Sequence, residues 1–125
     1  MADKIDRMTL LIVDDHATFR TYARSMLVAE GYDVIGDVAD GESAVEAAER
    51  LEPTAVLLDI QLGDGIDGFE VARRLAPLPH PPQVVLASSR EASAYGSKLT
   101  DAPVRGFVSK EDLSGKALTE LLGTV

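Results

Sequence analysis

Cysteine is absent from this 125-residue sequence, and cations are scarce, with 12 lysine and arginine residues against 21 aspartate and glutamate residues. Without thiols the chain can form neither a disulfide nor a cysteine-ligated zinc site. A chain of this length needs neither, because it can bury roughly two-thirds of its unfolded surface as one domain. The net charge of −9 argues against nucleic acid as a direct partner.

Long hydrophobic runs are also absent, since none approaches the ~18–20 residues needed to span a bilayer. The N-terminus, M-A-D-K-I-D-R-M, has neither the basic start nor the apolar core of a signal peptide. We therefore expect a cytoplasmic protein with no membrane contact. We expect residues 1–125 to form a single domain with a core over about residues 9–122 and no output domain.

Short apolar runs alternate with segments of helical periodicity along the chain. The apolar runs predict five strands, at Thr9–Val13, Tyr32–Asp37, Ala55–Leu58, Gln83–Ala87 and Val104–Ser109. The periodic segments predict five helices, at His16–Val28, from Asp40–Ser43 to Leu51, at Phe69–Ala76, Ala92–Leu99 and Leu113–Leu122. This alternation predicts an α/β fold, a doubly wound five-stranded parallel sheet with right-handed crossovers.

Polar side chains follow four of the predicted strands. In doubly wound sheets the ligand crevice lies at the carboxyl ends of the strands, so these side chains should converge there. They are Asp14 and Asp15 after the first strand, Asp59 after the third, Ser88 and Ser89 after the fourth, and Lys110 after the fifth. Two carboxylates ~4 Å apart repel by roughly 1–4 kcal/mol, so such a cluster needs positive charge. Few ligands, all of them oxygen, suit Mg²⁺.

These strand-end residues lie within motifs that resemble those of response-regulator receiver domains, over about Thr9 to Leu122. The motifs are V-D-D-H at Val13–His16, L-L-D-I at Leu57–Ile60, D-G-F-E at Asp67–Glu70, V-V-L-A-S-S at Val84–Ser89 and G-F-V-S-K at Gly106–Lys110. The resemblance implies a flavodoxin-like sheet in strand order 2-1-3-4-5, as in chemotaxis receivers. It also implies a role in two-component signalling rather than enzymatic turnover of an outside substrate.

The resemblance implies that Asp59 is the phosphoacceptor and that a histidine kinase or phosphotransfer protein supplies the phosphoryl group. Mg²⁺ would be ligated by Asp15, by Asp59 and by the backbone carbonyl of Gln61, with Asp14 acting mainly through water.

Four further residues take roles from the same resemblance. Ser88 and Lys110 would bind the phosphoryl oxygens, and Phe107 would be the aromatic that turns inward when Ser88 moves towards the phosphate. Arg90, two residues past Ser88, would influence access of water or a phosphatase to the acyl phosphate. The sequence does not predict the lifetime of that phosphate.

A downstream protein effector would bind the surface formed by Ala92–Leu99, Val104–Ser109 and Leu113–Leu122. The acidic composition argues against direct contact between this domain and nucleic acid. Self-association into a homodimer is left open. His16, at the start of the first helix, is expected to pack or to cap the helix.

The loop after Asp59 departs from the family pattern. Gly63 stands where proline is common, and Asp64 would add an acid near the metal. The alternative function is therefore a receiver-like interaction module that works without phosphorylation, and a small Mg²⁺-dependent phosphohydrolase ranks last. Gly63–Gly68 also matches G-x-G-x-x-G, but the acids inside the loop would repel a pyrophosphate.

Overall fold

The computed structural model describes residues 8–123, which form five strands and five α-helices in alternation. The strands are β1 (Thr9–Val13), β2 (Asp33–Val38), β3 (Ala55–Asp59), β4 (Gln83–Ser88) and β5 (Gly106–Ser109). The helices are α1 (Ala17–Ala29), α2 (Gly41–Leu51), α3 (Gly68–Leu75), α4 (Ser97–Asp101) and α5 (Gly115–Leu122). Short 3-10 helices cover Ala92–Ala94 and Lys110–Asp112.

The strands form one parallel sheet in the order β2-β1-β3-β4-β5, which confirms the predicted fold class and strand order. Asp59 pairs with Ala87 on β4, and Ser88 pairs with Ser109 on β5. The strand ends that carry the predicted site residues therefore meet at a single edge of the sheet.

Alternation along the strands divides the core into two layers, one on each face of the sheet. Leu10 and Ile12 pack with buried residues of α1 and α5, whereas Leu11 and Val13 pack with buried residues of α2 and α3. The whole of β3 is buried, as expected for a central strand covered on both faces. Asp59 is thus carried by the most enclosed strand of the sheet.

The predicted helix over Ala92–Leu99 is wrong. A 3-10 turn covers Ala92–Ala94, and α4 covers only Ser97–Asp101. Gly96 lies between them at φ +56°, outside the right-handed helical region, so the chain cannot continue as one helix.

Two other predicted elements begin two residues too early. β5 begins at Gly106, and so excludes the first two residues of the predicted Val104–Ser109 strand. The last helix begins at Gly115 rather than Leu113, because the side chain of Ser114 caps it by accepting a 3.0 Å hydrogen bond from the Ala117 N–H.

Three strands run one residue further than predicted, β2 to Val38, β3 to Asp59 and β4 to Ser88. Asp59 and Ser88 still pair with neighbouring strands, so each is the last residue of its strand rather than the first residue after it.

None of the helices within residues 8–123 has both the length and the apolar composition of a membrane span.

Candidate functional site

Asp59 lies at the end of β3 with only 5% of its surface exposed. The Gln61 N–H donates a long hydrogen bond of 3.4 Å to Asp59 Oδ1. Burial, and after it the negative charge of Asp14, raises the pKa of Asp59 to about 6, although Lys110 and the Gln61 N–H partly offset these two effects. A buried carboxylate whose charge is disfavoured is the kind of group that a bound cation stabilises.

Asp14 and Asp15 follow β1 and differ in exposure. Asp14 is 1% exposed and its Oδ1 accepts a 2.8 Å hydrogen bond from the His16 N–H, whereas the Asp15 side chain is 31% exposed. One ligand atom from each of Asp14, Asp15, His16 and Asp59 lies within 4.8 Å of all the others. The structure therefore brings the three predicted acids together.

The His16 ring joins this cluster, although the residue stands at the N-cap of α1. Its ring Nδ1 lies 3.0 Å from Asp15 Oδ1 and 3.3 Å from Asp14 Oδ1, and its side chain makes no capping hydrogen bond. His16 therefore stands at the N-cap position of α1, as predicted, but its ring lies over the two acids and does not cap the helix.

Lys110 follows β5 and reaches the same carboxylates. Its Nζ lies 2.5 Å from Asp14 Oδ2 and 3.5 Å from Asp59 Oδ2. The same ammonium lies 4.5 Å from the ring centroid of Phe19 on α1, a cation–π contact. Lys110 is thus fixed between an aromatic face and two buried acids.

Ser88 lies at the end of β4 and is 1% exposed. Its Oγ accepts a 3.0 Å hydrogen bond from the backbone N–H of Arg90 and lies 2.6 Å from the hydroxyl oxygen of Tyr95. Arg90 itself is exposed. Nothing in the sequence pattern indicated Tyr95, since a lone tyrosine in a polar segment is usually a packing residue.

Phe107 on β5 is half-buried, with its ring centroid 6.3 Å from that of Tyr95. It packs against the core layer formed with α2 and α3. Its role as a switch aromatic stays a prediction.

Glycines allow the loop between β3 and α3 to lie close to the site. The Gly68 N–H donates a 2.8 Å hydrogen bond to the Ile60 carbonyl, and a Cβ on Gly68 would overlap the Asp59 carbonyl oxygen. Gly63, at φ +74°, lies beside the Asp15 carboxylate. Asp64 is exposed and, among residues 8–123, is not one of the acids of the cluster, so its effect on a bound metal stays a prediction.

Arg20 on α1 supports the turn that carries the acids, and sequence reasoning missed it. Its Nη1 donates a 2.7 Å hydrogen bond to the Asp14 carbonyl oxygen, and its Nε donates one of 3.1 Å to Asp37. Arg24, one helical turn further along α1, binds Asp37 as well. The i, i+4 spacing of two arginines on one helix face was the only available signal.

Proteins of known sequence support a signalling role. The DNA-binding transcriptional activator EvgA of Escherichia coli is 29% identical over 105 residues, which are 84% of this chain and 51% of EvgA. The transcription regulator BvgA of Bordetella pertussis is 32% identical over 103 residues, which are 82% of this chain and 49% of BvgA. The chain thus spans about half the length of these relatives.

Solved structures agree on the fold. The signal receiver domain of the response regulator NarL from Mycobacterium tuberculosis is similar with a TM-score of 0.83 and 26% identity, over 94% of this chain and 97% of that one. The receiver domain of a modulated diguanylate cyclase from Desulfovibrio desulfuricans has a TM-score of 0.81 and 28% identity, over 94% and 91%. The response regulator receiver domain model matches residues 10–122, which include every acid of the cluster and Lys110, and the chain therefore belongs to that family of two-component signalling domains.

Proposed function

We propose that the domain accepts a phosphoryl group on Asp59 in a Mg²⁺-dependent reaction with a histidine kinase or phosphotransfer protein. The observation that carries this proposal is the position of Asp59, which is buried at a strand end beside two further carboxylates and the ammonium of Lys110. Few structural roles account for three acids held so close together.

The residues present fit a magnesium ion. Asp14 Oδ2 is buried and, among residues 8–123, accepts no hydrogen bond, although it forms an ion pair with Lys110. Carboxylate oxygens dominate the donor set, as this hard ion requires. Asp15, Asp59 and the Gln61 carbonyl would hold Mg²⁺ directly, with Asp14 holding it through water. When bound, the ion would neutralise the charge shared by the acids and the phosphoryl oxygens.

Phosphoryl transfer to Asp59 requires little covalent chemistry from the protein. An Asp59 carboxylate oxygen forms a bond to phosphorus, while the bond from phosphorus to the donor's imidazole nitrogen breaks and its electron pair stays on that nitrogen. Lys110, 3.5 Å from Asp59 Oδ2, is placed to attract the phosphoryl oxygens, and the buried Ser88 hydroxyl lies at the end of the neighbouring strand. Positioning and charge neutralisation therefore supply the catalysis.

Phosphorylation would act as a switch because the acyl phosphate adds about two negative charges and new acceptor oxygens. Ser88 and Phe107 are the residues predicted to move. The predicted effector site is the surface formed by Ala92–Leu99, Val104–Ser109 and Leu113–Leu122. The relatives' names describe DNA-binding and transcription regulators, but this chain carries a net charge of −9. We therefore infer that any transcriptional output runs through another domain or chain.

The experiment is incubation with Mg²⁺ and a small phosphodonor such as acetyl phosphate, followed by intact-mass measurement. We expect one phosphoryl adduct that requires Mg²⁺, is absent from Asp59→Asn and persists in Asp64→Asn. Asp64 is a matched control because it is an exposed acid of the adjacent loop outside the cluster. Absence of any adduct would favour the phosphorylation-independent interaction module, and repeated turnover of a phosphate ester would favour the phosphohydrolase.

A further inference from the structure

The Ser88 hydroxyl has both of its hydrogen-bond partners within the segment that follows β4. The Arg90 N–H donates to Ser88 Oγ at 3.0 Å, and the Tyr95 hydroxyl lies 2.6 Å away. The second contact joins two side chains that are both at least half-buried. A hydroxyl pair this short and this well enclosed is a defined interaction rather than a chance surface contact.

Tyr95 is the main attachment of an otherwise exposed segment. From Ser89 to Asp101 every residue is exposed except Tyr95 and Leu99. The Tyr95 ring packs edge-on against Phe69, with centroids 5.7 Å apart, and lies 6.3 Å from Phe107. The ring is therefore held by the core, and its hydroxyl is held by Ser88.

Tyr95 and a phosphoryl group would compete for the hydrogen of the Ser88 hydroxyl. A serine hydroxyl has one hydrogen to donate, and phosphoryl oxygens only accept. Phe107 has no hydroxyl, so it cannot take part in this exchange. Ser88 Oγ already accepts from the Arg90 N–H, and a Ser88 hydroxyl that donates to Tyr95 must turn its hydrogen away from Tyr95 to bind a phosphoryl oxygen.

We propose that Ser88 donates its hydrogen to Tyr95 in the unphosphorylated domain, and that Tyr95 is thereby a positioning residue for the phosphorylation of Asp59, because its hydroxyl competes with the phosphoryl oxygens for that hydrogen. This inference rests on the proposed function. Phosphorylation would then break the Ser88–Tyr95 contact, and the segment from Ser89 to Asp101 would lose this side-chain attachment to the end of β4.

The test is the affinity of the Mg²⁺-loaded domain for beryllofluoride, a non-covalent phosphoryl mimic, measured by fluorine NMR. Tyr95→Phe keeps the ring and removes the competing hydroxyl, so beryllofluoride should bind more tightly by roughly three- to tenfold, the usual range for one hydrogen bond. Tyr32→Phe is the matched control, because it also removes a 2.6 Å hydroxyl pair, to Thr119, on a different part of the molecule. Both variants should lose similar stability, but only Tyr95→Phe should change the affinity.

A second pair of variants isolates the competition from packing. In a Ser88→Ala background, Tyr95→Phe should no longer change the affinity, because the hydroxyl for which Tyr95 competes is gone. Unchanged or weaker binding by Tyr95→Phe, or an equal effect in the Ser88→Ala background, would overturn the inference while leaving the phosphorylation proposal intact. If the wild-type domain neither binds beryllofluoride nor gains a phosphoryl adduct, the proposed function itself fails, and the inference fails with it.

Discussion

Lys110 Nζ lies 2.5 Å from Asp14 Oδ2 but 3.5 Å from Asp59 Oδ2. The ammonium therefore compensates the charge of Asp14 more fully than that of Asp59, although both carboxylates are buried. Asp59 keeps a raised pKa as a result, because burial and the Asp14 charge outweigh the attraction of Lys110. The carboxylate with the least compensated charge is the one proposed to attack phosphorus.

Replacing Asp59 by Asn should stabilise the metal-free domain at neutral pH. The folded-state pKa of about 6 is above the ordinary value of 3.8, so this group contributes stability below pH 3.8 that is lost as the pH rises through 6. The shift corresponds to about 3 kcal/mol. Urea unfolding of both proteins with a chelator should show the Asn variant's advantage growing from near zero at pH 4 to about 2–3 kcal/mol at pH 7. An advantage that does not change with pH would contradict the raised pKa.

Replacing Lys110 by Gln should destabilise the metal-free domain, because it leaves Asp14 and Asp59 facing each other without a nearby cation. Breaking a buried pair by removing one partner costs about 3 kcal/mol. Lys98→Gln removes an exposed lysine and should change the free energy of unfolding by less than about 0.5 kcal/mol. Urea unfolding measures both variants, and equal stabilities would show that the Lys110 ion pairs contribute nothing.

Arg20→Gln should weaken Mg²⁺ binding, because Arg20 holds the Asp14 carbonyl and so fixes the turn that carries Asp14 and Asp15. Loss of an outer-shell hydrogen bond of this kind lowers metal affinity by roughly 10-fold or more. Arg24→Gln is the control, since Arg24 shares Asp37 but does not bind the Asp14 carbonyl. Calorimetric titration with Mg²⁺ should show weaker binding by Arg20→Gln than by Arg24→Gln. Equal affinities would show that Arg20 does not support the metal site.

Gly68→Ala should destabilise the domain by about 1–3 kcal/mol, the usual effect of overpacking. The added Cβ would overlap the Asp59 carbonyl and lie 2.7 Å from Ile60 Cα, both of which are backbone atoms that cannot move aside. Gly31→Ala, at φ +104° with open space around it, should have the smaller effect of backbone strain alone. Labelling of Asp59 by a phosphodonor should fall only in the Gly68 variant. Equal stability and equal labelling of the two variants would contradict the close approach at Gly68.

The fold was predictable because its strands are short apolar runs that alternate with helical segments. The convergence of the acids was predictable because parallel strands end at the same edge of a sheet. The region from Ala92 to Leu99 was mispredicted because small and polar residues give no strong periodicity, and the positive φ of Gly96 depends on tertiary context. Tyr95 and Arg20 were missed for a related reason. Each acts through a hydrogen bond to a residue brought near by the fold, and no local pattern marks such a partner.

The most direct test of the account is to locate the phosphoryl group within the chain. After Mg²⁺-dependent labelling, borohydride reduces an acyl phosphate to the corresponding alcohol, so a phosphorylated aspartate becomes homoserine and can be mapped by peptide mass spectrometry. We expect homoserine at position 59 and unchanged aspartate at positions 14 and 15. Homoserine at either of those positions, or a phosphoryl group on His16 instead, would contradict the assignment of Asp59 as the phosphoacceptor.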